Sequence, residues 1–373
     1  MADEYGNVDL SKSPSQSGTY TGINSMGLFN TMQLVNENSN GRLTRKIDDI
    51  PLYKYYTIQL IVESNGTELC KKEIIRYYQS GNTKSETITG SGFQGRFFYN
   101  KDTEKKPGII VLSGSDGGIE KAQTIAQLFS EHGYNSLALS YFGLEGLPET
   151  IDKIPVEYIE NSINWLKRQP NINKDKLAIY GRSKGGEMAL VAAFLFPQIT
   201  AVIANTPSSH VFEGFKLNHM GSHTSSWTYN NSELPFISLK FTDVIKFVIK
   251  KIFHPKTIQP KDIYSHNIKN NKINKKAEIK TEKINGNILL LSAGKDEIWP
   301  SNIFCENIIE RCSDFGFQNE CIHYNYPDSG HFLTVPYQSL PPKRQNMCND
   351  KYFNDCINSW KATLSFLYNW KNS

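Results

Sequence analysis

Three residues have the types and the settings to work together on a carbonyl: Ser183, Asp296 and His331. Ser183 is the centre of Gly181-Arg182-Ser183-Lys184-Gly185, a Gly-x-Ser-x-Gly motif. A serine hydroxyl is a poor nucleophile until a base takes its proton, and an imidazole base works best when a carboxylate fixes its tautomer. His331, at the end of Tyr326-Pro327-Asp328-Ser329-Gly330-His331, is the candidate base, and Asp296, in Ser292-Ala293-Gly294-Lys295-Asp296-Glu297, the candidate acid. Glu297 is the second choice for the acid and Asp328 the third. Charge developing on the attacked oxygen needs two backbone N–H donors. The amide of Lys184 is expected to supply one, and the loop Ser113-Gly114-Ser115-Asp116-Gly117-Gly118 the other, through Ser115. Read instead as a phosphate cradle, that loop lacks the Gly-Lys-Ser/Thr ending of a P-loop and the full dinucleotide fingerprint. Arg182 and Lys184 also flank the nucleophile as alternative anion contacts.

Each of the three residues has a plainer explanation when taken alone. A Gly-x-Ser-x-Gly pattern occurs by chance in front of helices, Asp296 suits a helix cap, and His331 suits a turn. Their positions relative to the apolar runs weigh against coincidence. Leu177-Ala178-Ile179-Tyr180-Gly181 reads as a buried strand, and the alanine-rich segment after Gly186 has helical spacing, so Ser183 falls on the turn between them. Pro107 to Leu112, Asn135 to Ser140, Thr200 to Ala204, Ile288 to Leu291 and Cys321 to Tyr326 read as further strands. Helical patterns lie over Ile119 to Glu131, Val156 to Arg168, Ser301 to Cys312 and Asn349 to Trp370. Strand and helix in alternation predict an α/β fold with a doubly wound, mostly parallel sheet, whose ligands meet the carboxyl ends of the strands. Asp296 and His331 follow two of those strands, and the chain order Ser, Asp, His is that of α/β-hydrolases.

Residues 1–95 differ, with short alternating runs such as Tyr56 to Val62 and Glu73 to Tyr78 between turn signals. They predict a small antiparallel β domain, sandwich-like but with too few strands for the usual seven. The catalytic domain is expected over 96–373, interrupted by an excursion over 207–283 that caps the sheet. The second half of that excursion is basic, with Lys246, Lys250, Lys251, Lys256, Lys261, Lys269, Lys272, Lys275, Lys276, Lys280 and Lys283.

The chain has 373 residues, 39% of them hydrophobic, enough for one large core or two domains. A formal net charge of +4 is too small to argue for nucleic acid. No apolar run reaches the roughly 18 residues that a membrane span requires. The polar start Met1-Ala2-Asp3-Glu4-Tyr5-Gly6 is unlike a secretory signal and predicts the cytoplasm. Cys70, Cys305, Cys312, Cys321, Cys348 and Cys356 form no Cys-x-x-Cys pair or zinc spacing, so free thiols and no metal or cofactor are expected. The sequons at Asn65 and Asn230 are then accidental.

The sequence resembles the family of acyl-CoA thioesterases and bile acid-CoA:amino acid N-acyltransferases. The likeness runs through Gly6-Asn7-Val8-Asp9-Leu10, Gly18 to Phe29, Leu139-Ser140-Tyr141-Phe142 with Leu147-Pro148, the Ser183 turn, Asp296 and Tyr326 to His331. It implies an α/β-hydrolase domain that acts on acyl-CoA thioesters through a nucleophile, Asp and His, here Ser183, Asp296 and His331. The amino-acid-conjugating branch uses cysteine as nucleophile, so Ser183 points to hydrolysis. Met26 of the N-terminal signature lies close to the start, so the β domain is expected to be incomplete. The ending Lys371-Asn372-Ser373 lacks the Ser-Lys-Leu address of peroxisomal members. The rival readings are an oxygen-ester carboxylesterase or dienelactone-hydrolase-like enzyme, an acyl-CoA:amino acid N-acyltransferase, and a catalytically silent binding module.

Overall fold

The computed structural model describes residues 8–18, 20–30, 32, 45–101, 104–215, 223–239, 241–254, 258–270, 275–333, 335–338 and 350–373. Met1 to Asn7, Thr19, Lys256, Lys272, Cys348 and Asn349, named above, lie outside the described residues.

After a single helical turn, α1 (Gly27–Asn30), a hairpin forms from β1 (Tyr55–Ser64) and β2 (Thr67–Tyr77). This two-stranded sheet is separate from the main sheet. The main sheet begins with β3 (Thr83–Ile88) and β4 (Gln94–Asn100), so the division expected between residues 95 and 96 falls inside one of its strands. Next come β5 (Lys106–Leu112), α2 (Glu120–Glu131), β6 (Asn135–Ser140), the short β7 (Ile154–Pro155), α3 (Glu157–Arg168) and β8 (Ile172–Arg182). The chain continues through α4 (Lys184–Leu195), β9 (Ala201–Asn205), the small strands β10 (Trp227–Tyr229) and β11 (Ser232–Glu233), α5 (Phe241–Phe253) and α6 (Lys261–Asn270). It closes with β12 (Asn287–Ala293), α7 (Ser301–Asp314), β13 (Cys321–Tyr326) and α8 (Asp350–Asn372).

The main sheet has eight strands in the order β13-β12-β9-β8-β5-β6-β4-β3. All neighbours from β6 to β13 run parallel, while β4 is antiparallel to both β3 and β6. The chain therefore places β6 on one side of β5 and returns to lay β8 on the other. That reversal is the topological switch point at which α/β sheets open a crevice beyond their strand ends.

Side-chain alternation assigns the helices to the two faces. Ile110, Leu112, Ile179 and Leu290 point to one face and pack with Ile159 and Ile163 of α3, Leu190 and Val191 of α4, and Ile308 of α7. Ile109, Val111, Tyr180 and Leu291 point to the other, against Ile125 and Phe129 of α2 and Phe366 and Trp370 of α8. Helices cover the sheet on both faces, which is why β5, β6 and β9 are buried along their whole length and are apolar at their centres. A third cluster belongs to the excursion. Phe212, Ile237, Tyr264 and Ala277 pack on Trp299 and Phe304, just past the end of β12.

Candidate active site

Ser183 joins β8 to α4 with φ 56° and ψ −124°, a conformation that L residues rarely adopt. The turn closes only because its neighbours lack side chains. A Cβ on Gly181 would lie 2.0 Å from the Gly185 carbonyl oxygen, and one on Gly185 would lie 2.1 Å from the Ser113 carbonyl oxygen. The Ser183 amide donates to the Asn205 carbonyl at 2.8 Å, which ties the turn to the end of β9.

The loops after β12 and β13 are stitched to each other. Gly294 N donates to the Tyr326 carbonyl and Lys295 N to the Ser329 carbonyl, each at 2.9 Å. Asp296 thereby comes under His331. His331 Nδ1 lies 3.0 and 2.9 Å from the two Asp296 carboxylate oxygens, and His331 Nε2 lies 2.8 Å from Ser183 Oγ. Ser183, Asp296 and His331 are all buried. Asp296 Oδ1 also accepts the amides of Ile298 and Trp299, so the carboxylate is oriented before any substrate arrives. The Trp299 ring stands edge-on to His331 at 5.9 Å, with its Nε1 donating to the Thr206 carbonyl. A nucleophile, a base in contact with it and an acid that fixes the base are the parts required for acyl transfer.

The other acid candidates lie elsewhere. Glu297 Oε2 accepts the His331 backbone amide at 3.2 Å and supports the loop. Asp328 is engaged by Lys295 Nζ at 2.8 Å and Lys351 Nζ at 3.6 Å, contacts that hold its carboxyl below the usual range.

Lys184 differs from the expectation of an anion contact. Its side chain turns inward, and Nζ donates to both Glu187 carboxylate oxygens at 2.8 and 3.0 Å and to Ser226 Oγ at 2.8 Å. Glu187 Oε1 also accepts Trp227 Nε1 at 2.8 Å and the Phe212 amide at 3.3 Å. Burial draws the Lys184 ammonium down and the Glu187 carboxyl up, while their mutual contact favours the charged forms. The pair was missed in the sequence although the Lys184 to Glu187 spacing on a helix was visible. Its far partners, Ser226 and Trp227, come from the excursion, where no periodicity marks them. Arg182 keeps its place beside Ser183, with its guanidinium over the Phe332 ring and 3.7 Å from Asp116.

The amide of Lys184 opens α4, where a helix N–H has no partner within the helix. On the facing loop it is Gly114 that abuts Ser183, since a Cβ there would lie 3.3 Å from Ser183 Cβ. Ser115 is the next residue, on an exposed turn. The buried Tyr141 hydroxyl donates to the Ser113 carbonyl at 2.8 Å and reaches the Gly114 carbonyl at 3.3 Å, which holds the loop from below.

Among known protein families, the one described as BAAT / acyl-CoA thioester hydrolase C terminal matches residues 154–354, over half of the chain. The chain belongs to this family. A second description, the acyl-CoA thioester hydrolase/BAAT N-terminal region, matches residues 1–90. Among curated relatives of this family member, human acyl-coenzyme A thioesterase 1 is 25% identical, over 91% of this chain and 75% of its own. Mouse acyl-coenzyme A amino acid N-acyltransferase 2 is 26% identical, over 93% of this chain and 79% of its own. An esterase from the archaeon Pyrobaculum calidifontis, a solved structure, aligns with a TM-score of 0.45 at 14% identity over 78% of this chain and 86% of that one. The family's C-terminal match spans Ser183, Asp296 and His331.

Proposed function

We propose that this protein hydrolyses acyl-CoA thioesters to a free carboxylic acid and coenzyme A, with Ser183 as nucleophile, His331 as general base and Asp296 as its orienting acid. The observation that carries the reading is the unbroken contact from Ser183 Oγ through the His331 imidazole to Asp296, in a chain of the thioester hydrolase family. The thioester carbonyl oxygen would sit between the amides of Lys184 and Ser115. As the Ser183 hydroxyl attacks, His331 Nε2 takes its proton, and the tetrahedral intermediate collapses with the C–S bond breaking. The sulfur leaves as the thiol of coenzyme A, protonated by His331. Water then attacks the acyl-serine, gives a proton to the same imidazole, and the acid departs as the Ser183 hydroxyl reforms.

The test is to assay acyl-CoA thioesters of several chain lengths beside p-nitrophenyl esters, with and without glycine or taurine. The expected result is release of free acid and thiol from the thioesters, with no conjugate formed. Faster turnover of the oxygen esters would remove the CoA claim and keep the mechanism. Conjugates in place of free acid would assign the transferase reading. A fluorophosphonate probe should label the protein and fail to label Ser183→Ala. Wild-type protein that resists the probe and turns over no substrate would leave only a binding module.

A further inference from the structure

We propose that α5 is an interfacial helix that lays its outer face on an anionic lipid surface. A helix on the surface of a globular protein normally turns its apolar stripe inward. Here the order is reversed. Ile245, Val248, Ile249, Ile252 and Phe253 are all exposed, the last two by 70% and 74%. Their spacing, i, i+3, i+4, i+7 and i+8, places them on one side of the helix, while Phe247, on the opposite side, is half-buried and Val244, at the edge of the stripe, is buried. The molecule therefore holds α5 by its inner face and presents a contiguous apolar face outward, which marks an interaction surface.

What suits that face is set by the charges beside it. Lys246 and Lys250 are exposed along one flank of the apolar stripe, and the acid of the helix, Asp243, lies in its first turn. An apolar stripe edged by lysines matches a leaflet whose acyl chains accept the stripe and whose anionic headgroups meet the ammonium groups. A second copy of the same face would bring lysines toward lysines. With 13 residues, α5 is too short to cross a bilayer, and no helix among the described residues is long and apolar enough to do so. The helix is suited to lie in the interface.

The position of α5 gives the contact a consequence. α5 packs against α6, whose Tyr264 meets Trp299 at 5.9 Å between ring centroids. Trp299 in turn touches His331, and the Lys261 amide at the start of α6 donates to the Glu297 carbonyl. Three packing contacts, α5 on α6, Tyr264 on Trp299 and Trp299 on His331, thus link the lipid-facing helix to the candidate base.

The experiment is sedimentation of the full chain with phosphatidylcholine vesicles and with vesicles containing phosphatidylserine, with folding checked by thermal melting. Wild-type protein is expected to pellet with the anionic vesicles and far less with the neutral ones. Ile249→Glu with Ile252→Glu should weaken that partition at least ~10-fold, since two charges enter the apolar face. Lys246→Gln with Lys250→Gln should weaken it roughly 10-fold on anionic vesicles alone. All variants should melt like the wild type, because the altered side chains are exposed. Absence of wild-type binding to anionic vesicles would overturn the proposal, as would Glu variants that still sediment like wild type. A solution dimer that the Glu variants dissociate, without vesicle binding, would overturn it in favour of a self-interface.

Discussion

Lys184 Nζ lies 2.8 Å from Glu187 Oε1, and the two charges are enclosed beneath the turn that carries Ser183. Removing one member of a buried ion pair strands the other, at a typical cost of about 3–5 kcal/mol. Glu187→Leu should therefore lower stability to urea by an amount of that order, and it also takes the acceptor from Trp227 Nε1. Lys184→Met added to Glu187→Leu should restore much of the loss, since no lone charge remains. Equal urea midpoints for Glu187→Leu and wild type would show that the pair contributes nothing.

The elbow is tested by adding one carbon. Gly185→Ala sets a Cβ 2.1 Å from the Ser113 carbonyl oxygen, so either the loop or the turn must shift. Displacing a reacting group by about 1 Å typically costs about 100-fold in rate. The fluorophosphonate labelling rate should fall by at least that factor while circular dichroism stays that of a folded protein.

Asp296→Asn should leave the fold intact, because the amide oxygen can still accept from the Ile298 and Trp299 amides. It removes the charge that stabilises the imidazolium and favours the wrong tautomer of His331, for which the cost in a serine protease triad is about 10⁴-fold in kcat. Asp328→Asn, which loses only the contacts to Lys295 and Lys351, should change kcat little. Steady-state kinetics of the two variants separates the acid candidates, and comparable losses in both would sink the assignment.

That Ser183, Asp296 and His331 would meet was legible because each follows a strand of the sheet, and ligands in such folds meet the strand ends. What escaped depends on contacts between distant segments. Phe97 sits opposite Leu137 across the β4 and β6 ladder, a pairing that no local pattern announces, so β3 and the first residues of β4 read as part of a separate β domain. Lys184 looked like a surface cation because lysine usually is one. Its burial follows from Ser226 and Trp227, which the chain brings back after a long stretch without helical or strand period. The helix α5 went unassigned inside the excursion, and its outward-facing apolar side was hidden because only the fold says which side faces inward.

His210 gives stability a pH dependence. Burial, with the nearby Arg311, pulls its pKa down to about 4 from the usual 6.5. Glu278 Oε1 stands 3.9 Å from His210 Nε2, but that carboxylate is held by Arg311 at 2.6 Å. Between pH 6.5 and about 4 the unfolded chain binds a proton that the folded chain refuses. Stability contributed by the neutral imidazole is therefore intact above the unfolded pKa and lost as pH falls through that window. The total is on the order of 3 kcal/mol. His210→Asn should flatten this part of the profile of unfolding free energy against pH, and an unchanged slope would assign it to other groups.

The last relationship under test is the Tyr141 hydroxyl and the loop beside Ser183. Burial pushes the Tyr141 phenol well above its usual range, with Asp116 and Glu187 adding to the effect, so it remains a donor to the Ser113 carbonyl. Tyr141→Phe leaves that buried carbonyl without this donor, at about 1–3 kcal/mol. If the loop supplies an oxyanion donor through Ser115, its loosening should appear in kcat and not in KM, because the donor acts on charge that develops only in the transition state. A fall in kcat of about 10-fold is expected, less than the 100-fold or more for outright loss of a donor. A variant that is less stable yet keeps full kcat would confine Tyr141 to the fold and leave the second oxyanion donor to be sought elsewhere on the loop.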